Sequence, residues 1–585
     1  MAVSSGEGSR ARFAGILHTT TTGQRRFGGR TPTRLIALRD FTFDYSNRVH
    51  QVLRKTDRGP FVRPSCDEMR KNAAPPTSWL RTLVSSNRPA RNVMWNLLGG
   101  GWVGILIVLA TPWYVARLGL EGYGIVGLWL MMQVLMGLLD MGMGATLVRA
   151  FADSRRDRNA LEFKRDLLKT METVCWAVAA VLTVALVLAG GSVGDHWLKS
   201  RTLPSASVSN GIRMMAIALG LQFPCGLYSN GLTGLQEQGR MNALQIMGNS
   251  LRYGCGVAVL FWRADLVWFF GVQAVVAAIQ TLATRWVVWE MISDAAARRP
   301  TFRLEMFQRL WRFSMGMALT AVSAVLLANA DRIALSIMMP TAELGKYAVA
   351  FTATGLLQMG IQPFYRAFFP RYSELVSLGE TERLRVEYYR SCRLVAVVII
   401  PLGIIGWMFA PQIFHAWLGE YEETTVKAFR WLLVGITCSG LMWLPAAFQQ
   451  AHGWTRLHAS MIAGALVLGA PVMIWAVLTY GTVGATAVWV LHGISDITLG
   501  LRLMHRRLLV GELLGWYRSV LLPPLMISLP LVGLSWCLIP HGLSRWIGLS
   551  WVGSTGLIVI AAALFFDFGG VREDIRPIST GALGN

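Results

Sequence analysis

The residues able to do chemistry in this chain are charged groups stranded inside apolar runs. Arg252 stands in the middle of one, in Asn249-Ser-Leu-Arg252-Tyr253. A charge near a bilayer centre costs on the order of 3 kcal/mol on insertion scales, so it persists where it faces a bundle interior or a wet cavity. A guanidinium placed there suits an oxyanion such as a phosphate, because its N–H fork makes charge-assisted bonds. Asn249, three residues earlier, is expected on the same side, and Tyr253 is adjacent in the chain. The competing reading of Arg252 is a buried ion pair between helices. Arg149, Arg285 and Arg366 stand near the ends of their runs. They are further cavity candidates, with snorkelling to the surface as the rival reading.

A second class is anionic or titratable. Asp140 interrupts a run in Leu138-Leu-Asp140-Met-Gly142-Met-Gly144, and Asp331 lies in Asn329-Ala-Asp331-Arg332. His492 and Asp496 are four residues apart, one helical turn, and so share a face. These four are the candidates for H+ or Na+ coupling. Against that, Asp140 fits a bond to a neighbouring helix, Asp331 the outer boundary of a span, and His492 a hydrogen-bonded packing role. Nothing resembles a catalytic set: there is no HExxH, GxSxG or Walker A loop. The seven cysteines are scattered, without CxxC spacing. No enzyme activity, metal or cofactor is expected.

The elements that must position these groups are membrane helices. The chain is 53% hydrophobic and only 15% charged, against about a quarter charged in soluble domains. Too little polar sequence remains to coat a soluble core. Apolar runs recur and predict an all-α polytopic membrane protein of about 14 transmembrane helices. The net charge of +22 lies in particular loops and in the N-terminal tail, so nucleic-acid binding is rejected. Basic loops carry Arg155, Arg156 and Arg158, then Arg298, Arg299 and Arg303, then Arg506, Arg507 and Arg518. Alternate loops are poor in bases or acidic, as at Glu420, Glu422 and Glu423. The positive-inside rule puts both termini in the cytoplasm.

The expected domains are a basic, disordered tail over 1–91 and a six-helix lobe over 92–297. An interfacial linker over 298–311 leads to a second six-helix lobe over 312–510. Two added helices over 511–570 and a cytoplasmic tail over 571–585 complete the chain. Residues 1–90 hold 14 Arg and 2 Lys against 6 acids. A start assigned too early is the rival reading of that tail, with Met69 or Met94 as the true start. The linker's Leu304, Phe307, Leu310 and Trp311 recur at helical spacing, which suits a helix lying in the interface. Prolines Pro224, Pro363, Pro401, Pro445 and Pro471 are expected to interrupt their spans.

The two lobes are read from a repeat. Leu120-Glu-Gly-Tyr123-Gly124 opens an apolar run that ends at Arg149. Leu344-Gly-Lys-Tyr347 opens another, followed by Arg366 and Arg371. Gln236-Glu-Gln-Gly239-Arg240 and Gln449-Gln-Ala-His-Gly453 are short turns at equivalent places in the two halves.

Leu120-Glu-Gly-Tyr-Gly124, Gly137-Leu-Leu-Asp-Met-Gly-Met-Gly-Ala-Thr-Leu-Val-Arg149, Gly234-Leu-Gln-Glu-Gln-Gly239 and Asn329-Ala-Asp-Arg-Ile-Ala-Leu-Ser336 resemble the polysaccharide transporter, or O-antigen flippase, family. That family sits within the multidrug, oligosaccharidyl-lipid and polysaccharide exporter superfamily. The resemblance covers about residues 92–510. It implies two pseudo-symmetric six-helix lobes around a cationic cavity. It also implies movement of an undecaprenyl-diphosphate-linked saccharide between leaflets. The implied partners are that polyprenyl-diphosphate lipid, membrane lipids, a polysaccharide polymerase and a chain-length regulator. The location implied is the bacterial inner membrane. A cation-coupled multidrug or metabolite antiporter is the main alternative, and an integral glycosyl- or acyltransferase the next.

Overall fold

The computed structural model describes residues 88–137, 143–152, 158–293, 298–305, 325–326, 328–540 and 542–570. Asp140, nearly all of the N-terminal tail, most of the expected seventh span, linker residues 306–311 and the 571–585 tail lie outside the described residues. Among those described, the regular elements are helices, with one isolated parallel bridge between Lys199 and Pro340. Nine helical stretches among them are long and apolar enough to cross a membrane. The chain is a multi-pass membrane protein.

Helix α1 (Arg88–Met136) is two spans joined at Gly119, whose φ of 70° departs from helical geometry. Glycine reaches that conformation without a Cβ clash. The run expected to continue to 148 stops instead at Met136, and α2 (Met143–Phe151) resumes beyond residues 138–142. Gly137 follows Met136 directly, and glycine is a poor helix former. Then come α3 (Arg158–Ser192), α4 (Ser205–Gly234), α5 (Gln238–Trp262) and α6 (Leu266–Met291). The second half contains a helix over 328–338, α7 (Thr341–Leu378), α8 (Thr381–Met408), α9 (Ala410–Leu418) and α10 (Glu423–Leu441). It continues with α11 (Trp443–Ala451), α12 (Thr455–Ala485), α13 (Ala487–Ser495) and α14 (Leu501–Leu508), the last two joined by a π turn. The chain ends with α15 (Leu513–Trp516), α16 (Leu522–Leu538) and α17 (Arg545–Gly570).

The nine among the described residues are fewer than the expected count of about 14. Helices α4, α5 and α7 are 30, 25 and 38 residues long, yet none is among the nine. Their Ser, Asn, Gln and Arg residues lower the mean hydropathy. The proline expectation is corrected too. Pro224, Pro363, Pro401 and Pro471 lie inside continuous helices. Pro445 alone of the five adjoins a break, between α10 and α11 at Met442.

We call the end of the bundle that carries Gly119 and Thr341 the turn end, and the end that carries Lys164 and Arg371 the basic end. The two halves meet along α1 and α7 near the turn end. A Cβ added at Gly345 would lie 1.9 Å from the Leu120 carbonyl oxygen, and one at Gly124 would lie 2.5 Å from that of Thr341. One at Gly127 would meet the Ala348 methyl at 2.6 Å. Tyr123 bridges the seam, its hydroxyl 3.0 Å from Thr352 Oγ1 and 3.1 Å from Thr111 Oγ1. Trp197 Nε1 donates to Ser336 Oγ at 3.3 Å, and Thr341 N–H to the Lys199 carbonyl at 3.2 Å.

Carboxylates hold the connections at both ends. At the turn end, buried Glu121 accepts from Ser200 Oγ at 2.7 Å, from the Arg201, Thr202 and Leu203 amides, and from Thr202 Oγ1. That fixes the α3–α4 connection over the seam. Glu343 and Glu422 both hold Lys346. Burial opposes ionisation of Glu343, but bonds from Lys346 and Thr482 outweigh it and keep the carboxyl below its usual range. At the basic end, Asp166 of α3 is 3% exposed. It holds Arg298 at 2.9 Å, Arg303 at 2.8 Å and the Thr301 amide at 2.8 Å. The linker is therefore pinned to the first half. The interfacial-helix expectation for it falls mainly on residues outside those described. In the second half the polarity reverses: Arg385 and Tyr389 of α8 hold Glu512, at 2.8 and 2.7 Å, in the segment leading to α15.

Two outcomes follow from this packing. Gly345→Ala should lower the thermal midpoint of the purified protein, at a cost of about 1–3 kcal/mol for overpacking. Gly355→Ala, on the same helix with nothing within 4 Å of the added methyl, should be neutral or slightly stabilising. Asp166→Ala should make the 298–303 segment a faster site of tryptic cleavage, read by mass spectrometry of the fragments. Unchanged cleavage would show that the carboxylate does not hold the linker.

Candidate functional site

Arg252 is 3% exposed in the interior of the first half. Its Nη2 donates to Gln280 Oε1 of α6 at 3.1 Å. The guanidinium carbon lies 5.7 Å from the ring centroid of Trp129 on α1. Its Nε is buried with no hydrogen-bond partner. Among the described residues it makes no ion pair, so the ion-pair reading finds no support there.

Side chains from α1 and α6 also pin the backbone around the charge. Gln273 Nε2 donates to the Arg252 carbonyl at 3.2 Å, and Tyr114 OH to the Tyr253 carbonyl at 3.3 Å. Both donors reach in because residue 256 is glycine. A Cβ there would stand 2.6 Å from Tyr114 OH and 2.9 Å from Gln273 Nε2. The arginine is thus held on all sides by α1, α5 and α6, and one donor edge remains unsatisfied. A buried guanidinium with an unused donor can accept a further hydrogen-bond acceptor at little cost.

The other sequence candidates are placed elsewhere. Asn249 does not join Arg252, because its amide donates to the Gln245 carbonyl one turn back at 2.8 Å. Tyr253 is 7% exposed beside Arg252. Arg285 is partly exposed, and its Nε pairs with Glu172 Oε1 at 2.7 Å. Glu172 also accepts from Trp289 Nε1 at 2.9 Å. Arg149 is exposed on α2. Arg366 is exposed on α7 and donates to Gln362 at 3.4 Å. No hydrogen bond among the described residues links these four arginines.

The acidic candidates lie in the second half. Asp331 is 1% exposed and accepts from Tyr347 OH, from Trp489 Nε1 at 2.8 Å and from the Arg332 amide at 2.8 Å. Arg332 itself stacks on Phe351 at 3.9 Å. His492 and Asp496 do share a face, with Nε2 to Oδ2 at 3.5 Å. Ser439 Oγ donates to the same carboxylate oxygen at 3.2 Å. Asp140 lies outside the described residues. No group of three or more His, Cys, Asp or Glu able to hold a metal occurs among the described residues.

Sequence reasoning missed Gln280 and Trp129, the partners of Arg252, and Glu172, the partner of Arg285. A signal existed for Glu172, which opens an apolar run after Lys169 just as Arg285 closes one. None existed for Gln280 or Trp129, whose types are ordinary in membrane helices.

The family model described as "Polysaccharide biosynthesis protein" matches residues 90–376. A relative named "Putative O-antigen transporter", from Shigella flexneri, is 24% identical over 413 residues, covering 70% of this chain and 96% of that protein. Among solved structures, the lipid II flippase MurJ in an inward closed conformation matches with a TM-score of 0.63 at 9% identity. That match covers 83% of this chain and 99% of the flippase. An inward-facing multidrug resistance transporter of the MATE family matches at 0.57 and 15% identity, covering 69% and 94%. The structural likenesses show a shared fold, and the family match together with the curated relative supports a polysaccharide transporter.

Proposed function

We propose that the chain carries an undecaprenyl-diphosphate-linked oligosaccharide from the cytoplasmic to the periplasmic leaflet of the bacterial inner membrane. The product would supply O-antigen or exopolysaccharide synthesis, with a polymerase and a chain-length regulator as downstream partners. The observation that carries this reading is Arg252, a buried guanidinium with an unsatisfied donor and no acidic partner among the described residues. A diphosphate headgroup supplies the anion that such a group lacks. A cationic-drug antiporter would gain nothing from a cation in that place.

The two proposed lobes, 92–297 and 312–510, would rock about their contact in alternating access. The glycine seam between α1 and α7 then belongs to the state closed at the turn end, which the charge pattern assigns to the periplasm with both termini inside. Arg149 and Arg366, exposed at the basic end, would receive the headgroup from the cytoplasmic leaflet. Arg285, held by Glu172, would shape that entrance. Asp331 and the His492–Asp496 pair, with Asp140, are the proposed H+ or Na+ groups.

Deleting the gene should cause lipid-linked sugar to accumulate on the inner leaflet. Arg252→Ala should reproduce that defect while still reaching the membrane, and Arg252→Lys should restore part of the flux. Full complementation by the alanine variant would remove Arg252 from the mechanism, and a deletion without accumulation would remove the cargo assignment. In proteoliposomes, Asp496→Asn or Asp331→Asn should abolish the dependence of transport on a proton or sodium gradient. Gradient dependence retained by both would place coupling elsewhere.

A further inference from the structure

The turn end of the first half carries a surface that the transport reading does not use. Arg117, near the end of the first span in α1, lies 4.6 Å from the ring centroid of Phe261. Phe261 packs on Trp113 at 5.3 Å. Two residues along the chain, Arg263 lies 5.7 Å from Trp262 and 5.5 Å from Trp268, whose rings meet edge to face at 5.1 Å. All six side chains are exposed. A stacked guanidinium keeps its face on the ring, while its in-plane N–H donors stay free. Among the described residues neither arginine makes an ion pair. The nearby carboxylate, Asp265, caps α6 through the Val267 amide at 2.6 Å and accepts from Ser207.

An aromatic belt alone explains the rings, since Trp gathers at membrane interfaces. It does not explain the arginines. The repeat supplies an internal comparison, because α12 is the counterpart of α5. Its end has Trp475 and Tyr480, packed at 5.9 Å and both exposed, and among the described residues no arginine stacks on either ring. The second half has one stacked arginine at the turn end, Arg430 at 5.1 Å from the Trp407 ring, but its Nε is taken by the Trp407 carbonyl at 2.9 Å.

We propose that Arg117 and Arg263, fixed on their aromatic rings, form a surface site for the phosphate of an anionic phospholipid in the leaflet at the turn end. The rings set the depth of the two guanidinium groups, and their free N–H edges meet phosphate oxygens. A cation near a membrane surface contributes about fivefold in affinity for anionic lipid.

The full chain, purified in detergent, would be titrated with phosphatidylglycerol or phosphatidylcholine, and bound lipids counted by native mass spectrometry. The wild type should retain phosphatidylglycerol in preference to phosphatidylcholine. The double variant Arg117→Gln, Arg263→Gln should bind it more than tenfold more weakly, about fivefold per charge lost. Trp475→Ala, at the counterpart position, should bind as the wild type does. Equal retention of both lipids by the wild type would reduce the surface to aromatic anchoring. Undiminished phosphatidylglycerol binding by the double variant would also overturn the site. Both arginines are exposed, so a thermal midpoint within a few degrees of the wild type confirms that the double variant is folded when it is scored.

Discussion

Backbone-to-backbone contact between α1 and α7 is the constraint on which the rest of this structure depends. Inside a bilayer no hydrophobic force drives helices together, because lipid tails are as apolar as the side chains they would replace. Association must come from close packing and from polar bonds. Residues 124, 127 and 345 are glycines at the places where any Cβ would strike the opposite helix. The Tyr123 hydroxyl adds a polar bond across the seam, as do Trp197 to Ser336 and Thr341 to Lys199. Loss of that approach would leave the two halves with little holding them in this arrangement.

Around the seam, carboxylates and bases fix the connections instead of the helices. Glu121 collects the amides and hydroxyls of a connecting loop, which would otherwise face a boundary poor in hydrogen-bonding water. Asp166 and the Arg385–Tyr389 pair do the same for the segments that leave each half at the basic end. In the first case the acid lies on the helix and the bases on the departing segment; in the second the acid lies on the departing segment. Any single such ion pair at a surface contributes little. Asp166 differs because its carboxylate is buried and takes several donors at once.

The charged groups inside the halves follow a different logic. Glu172 and Arg285 neutralise each other, and Asp331 is satisfied by three donors. Arg252 is held in place yet keeps a donor edge unused. Arg332 Nε is likewise buried without a partner among the described residues, though its guanidinium stacks on Phe351. On the proposed reading, the unused edge of Arg252 is the one that meets the headgroup.

Composition and periodicity determined on their own that the chain is helical and crosses a membrane. They also determined which residues are charged within apolar runs, because those properties depend on residue type and local spacing. The repeat of Tyr123 and Tyr347 was legible for the same reason. Pairing was not. Asn249 and Arg252 are neighbours on a helix, but Asn249 turns back to its own backbone while Arg252 reaches Gln280, 28 residues away. Proline does not report a break when surrounding helices compensate for its missing bond, so four of the five expected interruptions are continuous. Which charge is neutralised, and which keeps an unpartnered donor, was decided by the tertiary structure, since it depends on groups brought together from distant helices.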